Sequence, residues 1–332
     1  MVTRGGWRPA RRIDDALHPT LSKGRRLDQL LLDRLGDGPG RSHYGTTEVQ
    51  EMEAASALNP FAAPDGSSEA AWSLNPYVGC AHRCAYCYVP DTIMAQRERW
   101  GSYVIVKRNL PTVLGHELKR RPRARVYLCT GTDPYQPVEE EHRITRKCLE
   151  LLGAAGWPVD LLTRSPLVLR DLDLLASMGD RLRVGLSIPT LDDAARRAIE
   201  PAAPPIPARL DALRQLADAG LTTYANLAPA YPLTGGVTPG AIARAFAKAG
   251  VAWVNTSPWR YRRSVLPVVA ARLRGGPFED LVGAVANERQ QRRLSAALEV
   301  AFEREALPLR TGFFNPPGPA PGERPDATIA TV

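Results

Sequence analysis

The stretch Asn75-Pro76-Tyr77-Val78-Gly79-Cys80-Ala81-His82-Arg83-Cys84-Ala85-Tyr86-Cys87-Tyr88 places three cysteines within eight residues, spaced C-x3-C-x2-C in a Gly-containing loop after a short strand-like run. Soft thiolates suit an iron–sulfur cluster or zinc. Three cysteines cannot complete an ordinary four-thiolate cluster, so one iron is left open to a chelating ligand. The competing reading is a structural zinc site built from the same thiolates and His82. Against it, His82 lies between two of the cysteines, whereas paired zinc ligands usually come from separated knuckles. The remaining cysteines are Cys129 and Cys148. An odd count of five, so clustered, is a poor disulfide framework and implies reducing surroundings.

Outward from this loop, the 332 residues are enough for one large core, or a core with a small appendage. Hydrophobic content of 44% with 23% charged residues is ordinary for a globular protein. No window approaches eighteen uncharged apolar residues, which excludes an obvious membrane span. The opening MVTRGGWRPARRIDD has no apolar run behind it, so no secretory signal is read and a cytoplasmic location is expected. Net charge is +8, and only five of the 43 basic residues are Lys. Arg favours bidentate contact with phosphate and carboxylate. This balance permits a nucleic-acid partner, but abundant Ala, Pro and Gly fit a simple compositional bias equally well.

Residues 1–70 read as an irregular basic leader, with a helical candidate at 27–35 and a loop at 61–68. From residue 72, short apolar runs at 72–75, 126–129, 159–163, 182–188, 222–227 and 251–256 alternate with helical stretches. These lie near 112–120, 143–155, 168–178, 208–219 and 239–249. Several end in a Gly stop, as in AAGW, DAGL and KAGV. Such alternation predicts parallel βαβ units, about six in number, over residues 71–258. Residues 259–314, Arg-rich and then amphipathic over 278–307, are expected to form a helical C-terminal extension. The Pro-rich 315–332 are expected to be a disordered tail.

The cysteine spacing, with an aromatic residue before the last Cys, resembles the cluster motif of radical S-adenosylmethionine (SAM) enzymes. The wider string NPYxGCxHxCxYCY is similar to the branch that includes spore photoproduct lyase, and the likeness runs from about residue 56 to about 232. The resemblance implies an α/β fold, a partial (β/α)6 TIM-type barrel, with a [4Fe–4S] cluster on Cys80, Cys84 and Cys87 at the strand C-termini. It implies SAM bound to the open iron and cleaved by one electron to methionine and a 5′-deoxyadenosyl radical that abstracts a substrate hydrogen. An external reductant of flavodoxin or ferredoxin type is implied as the electron source. The cofactors carry the difficult chemistry and the protein positions them.

Further residues are carried over by the same resemblance. Thr132 and Asp133, in a turn after the second strand, match a hydroxyl–Asp pair that helps bind the SAM amino group. Arg164 stands where relatives usually have Lys reaching the SAM carboxylate, and Ser187 matches a strand-end Ser near SAM. Tyr86 belongs to the cluster motif and is expected beside SAM; Tyr88 matches a Tyr of a radical relay. The segment 228–232 resembles a strand end close to SAM. Cys129 invites comparison with a hydrogen-donating cysteine of spore photoproduct lyase, but it sits four residues before Asp133 rather than three. One residue along a strand flips the side chain to the other face. Cys148, within a helical run, reads as a core residue. Three functions follow: a radical SAM enzyme of unidentified substrate, a DNA-lesion lyase, or a non-catalytic zinc or iron–sulfur protein.

Overall fold

The structure is a computed structural model that describes residues 42–62, 70–93, 95–128, 130–257, 259 and 262–311. The helical candidate at 27–35, the tail at 315–332 and Cys129 lie outside the described residues.

Among the described residues, twelve strands form two sheets. The larger runs β12-β11-β10-β9-β8-β7-β4-β3, with β3 at Asn59–Ala62, β4 at Ala70–Leu74, β7 at Arg125–Leu128, β8 at Val159–Thr163, β9 at Leu182–Ser187, β10 at Thr222–Leu227, β11 at Trp253–Thr256 and β12 at Leu309–Thr311. From β4 to β12 every pairing is parallel, and β3 is antiparallel to β4. The end strands β3 and β12 are not paired with each other, so the barrel is partial. Helices follow the strands, among them Ile144–Ala154, Ile206–Asp218 and Pro239–Lys248.

Both faces of this sheet are covered, which is why its strands read as continuous apolar runs. Val126, Leu128, Leu161, Val184, Ala225 and Val254 point one way and pack on helix residues such as Leu149, Leu213 and Phe246. Alternate residues point into the barrel, where Tyr127, Leu162, Tyr224 and Trp253 form a second cluster. Tyr224 stacks on Trp253 at 5.0 Å between ring centroids and donates to Asp160 at 2.7 Å. A Cβ on Gly185 would lie 2.2 Å from the Tyr224 ring, so glycine there makes room for the inward tyrosine. Each fully buried Leu or Val of the outer layer contributes about 1.5–3 kcal/mol.

Three expectations need correcting. The leader is not irregular throughout: β1 (Ser42–Tyr44) and β2 (Thr47–Met52) join β6 (Tyr103–Lys107) and β5 (Tyr77–Val78) in a four-stranded sheet, order β1-β2-β6-β5. Phe61 and Ala62, read as loop, belong to β3. These strands are short, and β2 carries polar residues, so pairing across some 55 positions decides their state rather than local pattern. The C-terminal extension is not wholly helical. It breaks at Asn287, whose side chain caps helix Glu288–Arg304, and ends in β12, a seventh strand of the parallel run.

Candidate active site

The cysteine loop is held at its start by tight backbone contacts. Asn75 Oδ1 accepts from Gly131 N at 2.9 Å, and Asn75 O accepts from Lys107 Nζ at 2.9 Å. The chain pairs briefly with β6 as β5, then turns at Gly79 with φ +88°. A Cβ there would sit 2.4 Å from Tyr103 O, so only glycine lets the loop cross β6 this closely. Thr132 Oγ1 donates to Gly79 O at 2.6 Å, and Gln136 Nε2 to the same oxygen at 3.3 Å. Gln136 Oε1 in turn accepts from Ala81 N at 2.9 Å. Arg83, at φ +56°, donates from Nε to Gly101 O at 2.7 Å and from Nη2 to Thr46 Oγ1 at 3.1 Å. The misread N-terminal sheet thus buttresses the cysteine loop.

The strand ends face this loop. Asp133 accepts at Oδ1 from Tyr135 N (2.9 Å) and Thr163 Oγ1 (2.6 Å), and at Oδ2 from Arg164 N (2.9 Å). Burial alone would raise its carboxyl, but His82, Arg164 and Thr163 outweigh that and hold it at about 2. β8 stops at Ser165-Pro166, where Ser165 Oγ accepts from Leu167 N at 3.3 Å, and this leaves Arg164 at the mouth. Its Nη1 lies 2.7 Å from Cys84 Sγ, 3.0 Å from Tyr86 Oη and 3.3 Å from Glu200 Oε1. Glu200, fully buried, also accepts from Tyr86 Oη, and its Oε2 meets Arg209 Nη2 at 2.6 Å. Arg209, likewise fully buried, donates to Ser187 O (2.8 Å) and Pro204 O (2.9 Å). The helix Asp193–Ile199, capped by the Asp192 side chain, ends at Glu200 and so sets its position. Tyr86 packs edge-on against Tyr231 and Trp259 at 5.9 and 5.8 Å.

A single cavity gathers Cys80, Cys84, Cys87, Tyr86, Tyr88, Thr132, Asp133, Arg164 and Ser187. Asn226, Ala228, Pro229, Trp100 and Trp259 also line it. Every expected site residue therefore meets here except Cys129, which lies outside the described residues. Tyr88 Oη reaches Thr130 O at 3.5 Å. Cys148 is fully buried in the main core, away from the cavity. Gln136, Glu200 and Arg209 were not singled out from sequence. A lone Gln, Glu or Arg carries no periodic or motif signal, although Gln136 does lie three residues after Asp133.

The donor set fits a cluster bound through three irons. Among the described residues, no three His, Cys, Asp or Glu side chains converge on a point that one metal ion could occupy. His82 directs Nδ1 at Ala202 O, 3.4 Å away, and its Nε2 lies 3.4 Å from Asp133 Oδ2, so protein oxygens flank both ring nitrogens. The three thiols instead line the same cavity, as ligands to separate irons would. Burial, then Asp133, pushes the Cys80 thiol up to about 12, and burial also raises Cys84 and Cys87. Iron must therefore displace protons to bind them. The same cavity offers the hydroxyls, amide and guanidinium of the strand ends, and Trp100 and Trp259 add aromatic faces. A lining of this kind suits a zwitterionic nucleoside ligand.

The radical SAM superfamily profile matches residues 74–232. An uncharacterized protein of Methanocaldococcus jannaschii is 32% identical over 186 residues, which is 56% of this chain and 68% of that protein. An uncharacterized protein of Mycobacterium tuberculosis is 33% identical over 169 residues, 48% of this chain and 50% of its own length. Among solved structures, spore photoproduct lyase complexed with dinucleoside spore photoproduct superposes with a TM-score of 0.60 at 16% identity, covering 79% of this chain and 81% of that one. At such identity the likeness concerns the fold. No helix among the described residues is long and apolar enough to cross a membrane. The chain belongs to the radical SAM superfamily, a family of enzymes whose domain carries a [4Fe–4S] cluster and S-adenosylmethionine and needs an external reductant.

Proposed function

We propose that Cys80, Cys84 and Cys87 hold the cluster, and that the strand ends of β7, β8 and β9 hold SAM for hydrogen abstraction from a substrate. The observation that carries this reading is the single cavity that the three thiols share with Thr132, Asp133, Arg164 and Ser187. When bound, the cluster supplies the electron that cleaves SAM to methionine and the 5′-deoxyadenosyl radical that takes the substrate hydrogen. The protein binds, orients and excludes water. Gln136 and Thr132 fix the height of the cysteine loop above β7. Asp133, its oxygens already receiving Tyr135 N, Thr163 Oγ1 and Arg164 N, locks the mouth of β8 against β7. Arg164 spends Nη1 on Cys84, Tyr86 and Glu200, so its second terminal nitrogen is the group available to a SAM carboxylate. Ser187 and Asn226 present polar groups from β9 and β10, while Trp259 closes the wall and donates to Ala230 O at 2.9 Å.

Anaerobic reconstitution with iron and sulfide, followed by SAM and dithionite, tests the reading. Formation of 5′-deoxyadenosine is expected. Colourless protein holding zinc would instead support a non-catalytic metal protein. The substrate class is tested separately with DNA containing spore photoproduct. Thymine release that depends on Cys129 would assign the chain to DNA-lesion repair, and its lack despite SAM cleavage would point to another substrate.

A further inference from the structure

A second cavity lies on the outer side of the cysteine loop, between Trp100 and the helix Arg262–Leu273. Arg83, Cys84 and Trp100 line both cavities. Arg97, which also lines the outer cavity, donates from Nη1 to Cys87 O at 2.8 Å. The outer cavity thus reaches Cys84 directly and Cys87 through its Arg97 contact. Its floor on the helix side is apolar, from Pro267, Val268 and Ala271, and its charged lining is Arg83, Arg97 and Arg272 against Glu98 alone. Arg97 is half neutralised by Asp91, but Arg272 is exposed on the helix surface.

We infer that this outer cavity is the docking surface for a small acidic one-electron carrier protein of flavodoxin or ferredoxin type. The inference rests on the cluster assignment above. An apolar centre within a basic rim complements a redox centre surrounded by carboxylates, and such charge matching mainly speeds encounter. The reduced carrier would be oxidised by one electron and the oxidised cluster that the loop would hold would gain it; no bond is made or broken and no proton moves. The inner cavity stays closed to the carrier and free for SAM and substrate.

The test uses two exposed positions on the helix, Arg272→Glu and Ala271→Glu, neither of which touches a cysteine or the inner cavity. Two readouts are taken at low salt on the full chain. One is the pre-steady-state rate of cluster reduction by reduced flavodoxin, with dithionite as the small-reductant control. The other is calorimetric binding of oxidised flavodoxin to cluster-free protein. Each variant is expected to lose about tenfold in both flavodoxin readouts, with the dithionite rate unchanged and the difference erased at high salt. Equal flavodoxin rates and affinities in variants and wild type would overturn the inference, as would wild-type protein that binds no flavodoxin. Loss of duplex DNA binding in the same variants, with flavodoxin binding intact, would assign the surface to nucleic acid instead. If dithionite itself reduces nothing, the cluster assignment has failed, and the calorimetry still reads the docking surface.

Discussion

Replacing Glu200 with Gln probes the ion network beneath the cysteine loop. The wild-type carboxylate is fully buried, shared between Arg209 Nη2 at 2.6 Å and Arg164 Nη1 at 3.3 Å, and bonded by Tyr86 Oη. Gln keeps the shape but offers one acceptor oxygen, and its amide hydrogens must face a cation. Removing one partner of a buried pair typically costs 3–5 kcal/mol, because the other charge is left uncompensated. Here Arg209 keeps two backbone carbonyls, at 2.8 and 2.9 Å, and Arg164 keeps a contact with Asp133 Oδ2 at 3.6 Å. The expected loss is therefore near the lower bound, about 3 kcal/mol. Burial alone would raise the Glu200 carboxyl, but Arg209 and Arg164 hold it below its usual value. A depressed carboxyl adds stability that is complete above its unfolded pKa, about 4.3, and is lost as pH falls through the lower folded value. The difference between wild type and Glu200→Gln should thus be full at pH 7 and shrink under acid. Urea unfolding of cluster-free protein measures it. A difference below about 1 kcal/mol at pH 7 would show that the network does not carry the charge balance argued here.

Other outcomes follow from the same geometry. Gly79→Ala must move a Cβ away from Tyr103 O, 2.4 Å distant, at φ +88°; it should cut iron loading on reconstitution severalfold while circular dichroism stays native, and normal loading would refute the tight crossing. Thr132→Val removes the hydroxyl between Gly79 O and Gln136 Nε2, leaving polar groups short of a partner at about 1–3 kcal/mol, read as weaker SAM binding with iron content held. Asp133 supplies stability present above about pH 4 and lost as pH falls toward its folded value of about 2, an amount on the order of 2 kcal/mol. Asp133→Asn should flatten the acid limb of the unfolding curve, and an unchanged limb would contradict the depressed value.

Much of this was legible because the sheet is parallel and buried on both faces. The runs that became β7 to β11 are continuous, Gly-stopped and separated by helix-length segments, so their boundaries fell within a residue or two of the predicted ones. The three cysteines were legible as a soft-metal motif from their spacing, whereas Thr132, Asp133, Arg164 and Ser187 came from the radical SAM resemblance; the structure brings all seven to one cavity. What escaped was long-range. β2 pairs with β6 across more than fifty residues with no local turn to announce it. Leu309–Thr311 is a strand only because β11 offers an edge. Gln136, Glu200 and Arg209 act through partners that folding brings together, and Glu200 and Arg209 are nine residues apart on different elements. Their types suggest exposed polar residues, and only the buried cations and carbonyls around them explain why they lie inside.

The central claim is that three thiols and no others hold a cluster that cleaves SAM. The direct test is 5′-deoxyadenosine production, with iron content, by reconstituted wild type, Cys80→Ala, Cys84→Ala, Cys87→Ala and Cys148→Ala under dithionite. The account predicts cleavage and about four irons per chain in wild type and Cys148→Ala, and neither in any of the three loop variants. Full SAM cleavage by a single loop variant would contradict it.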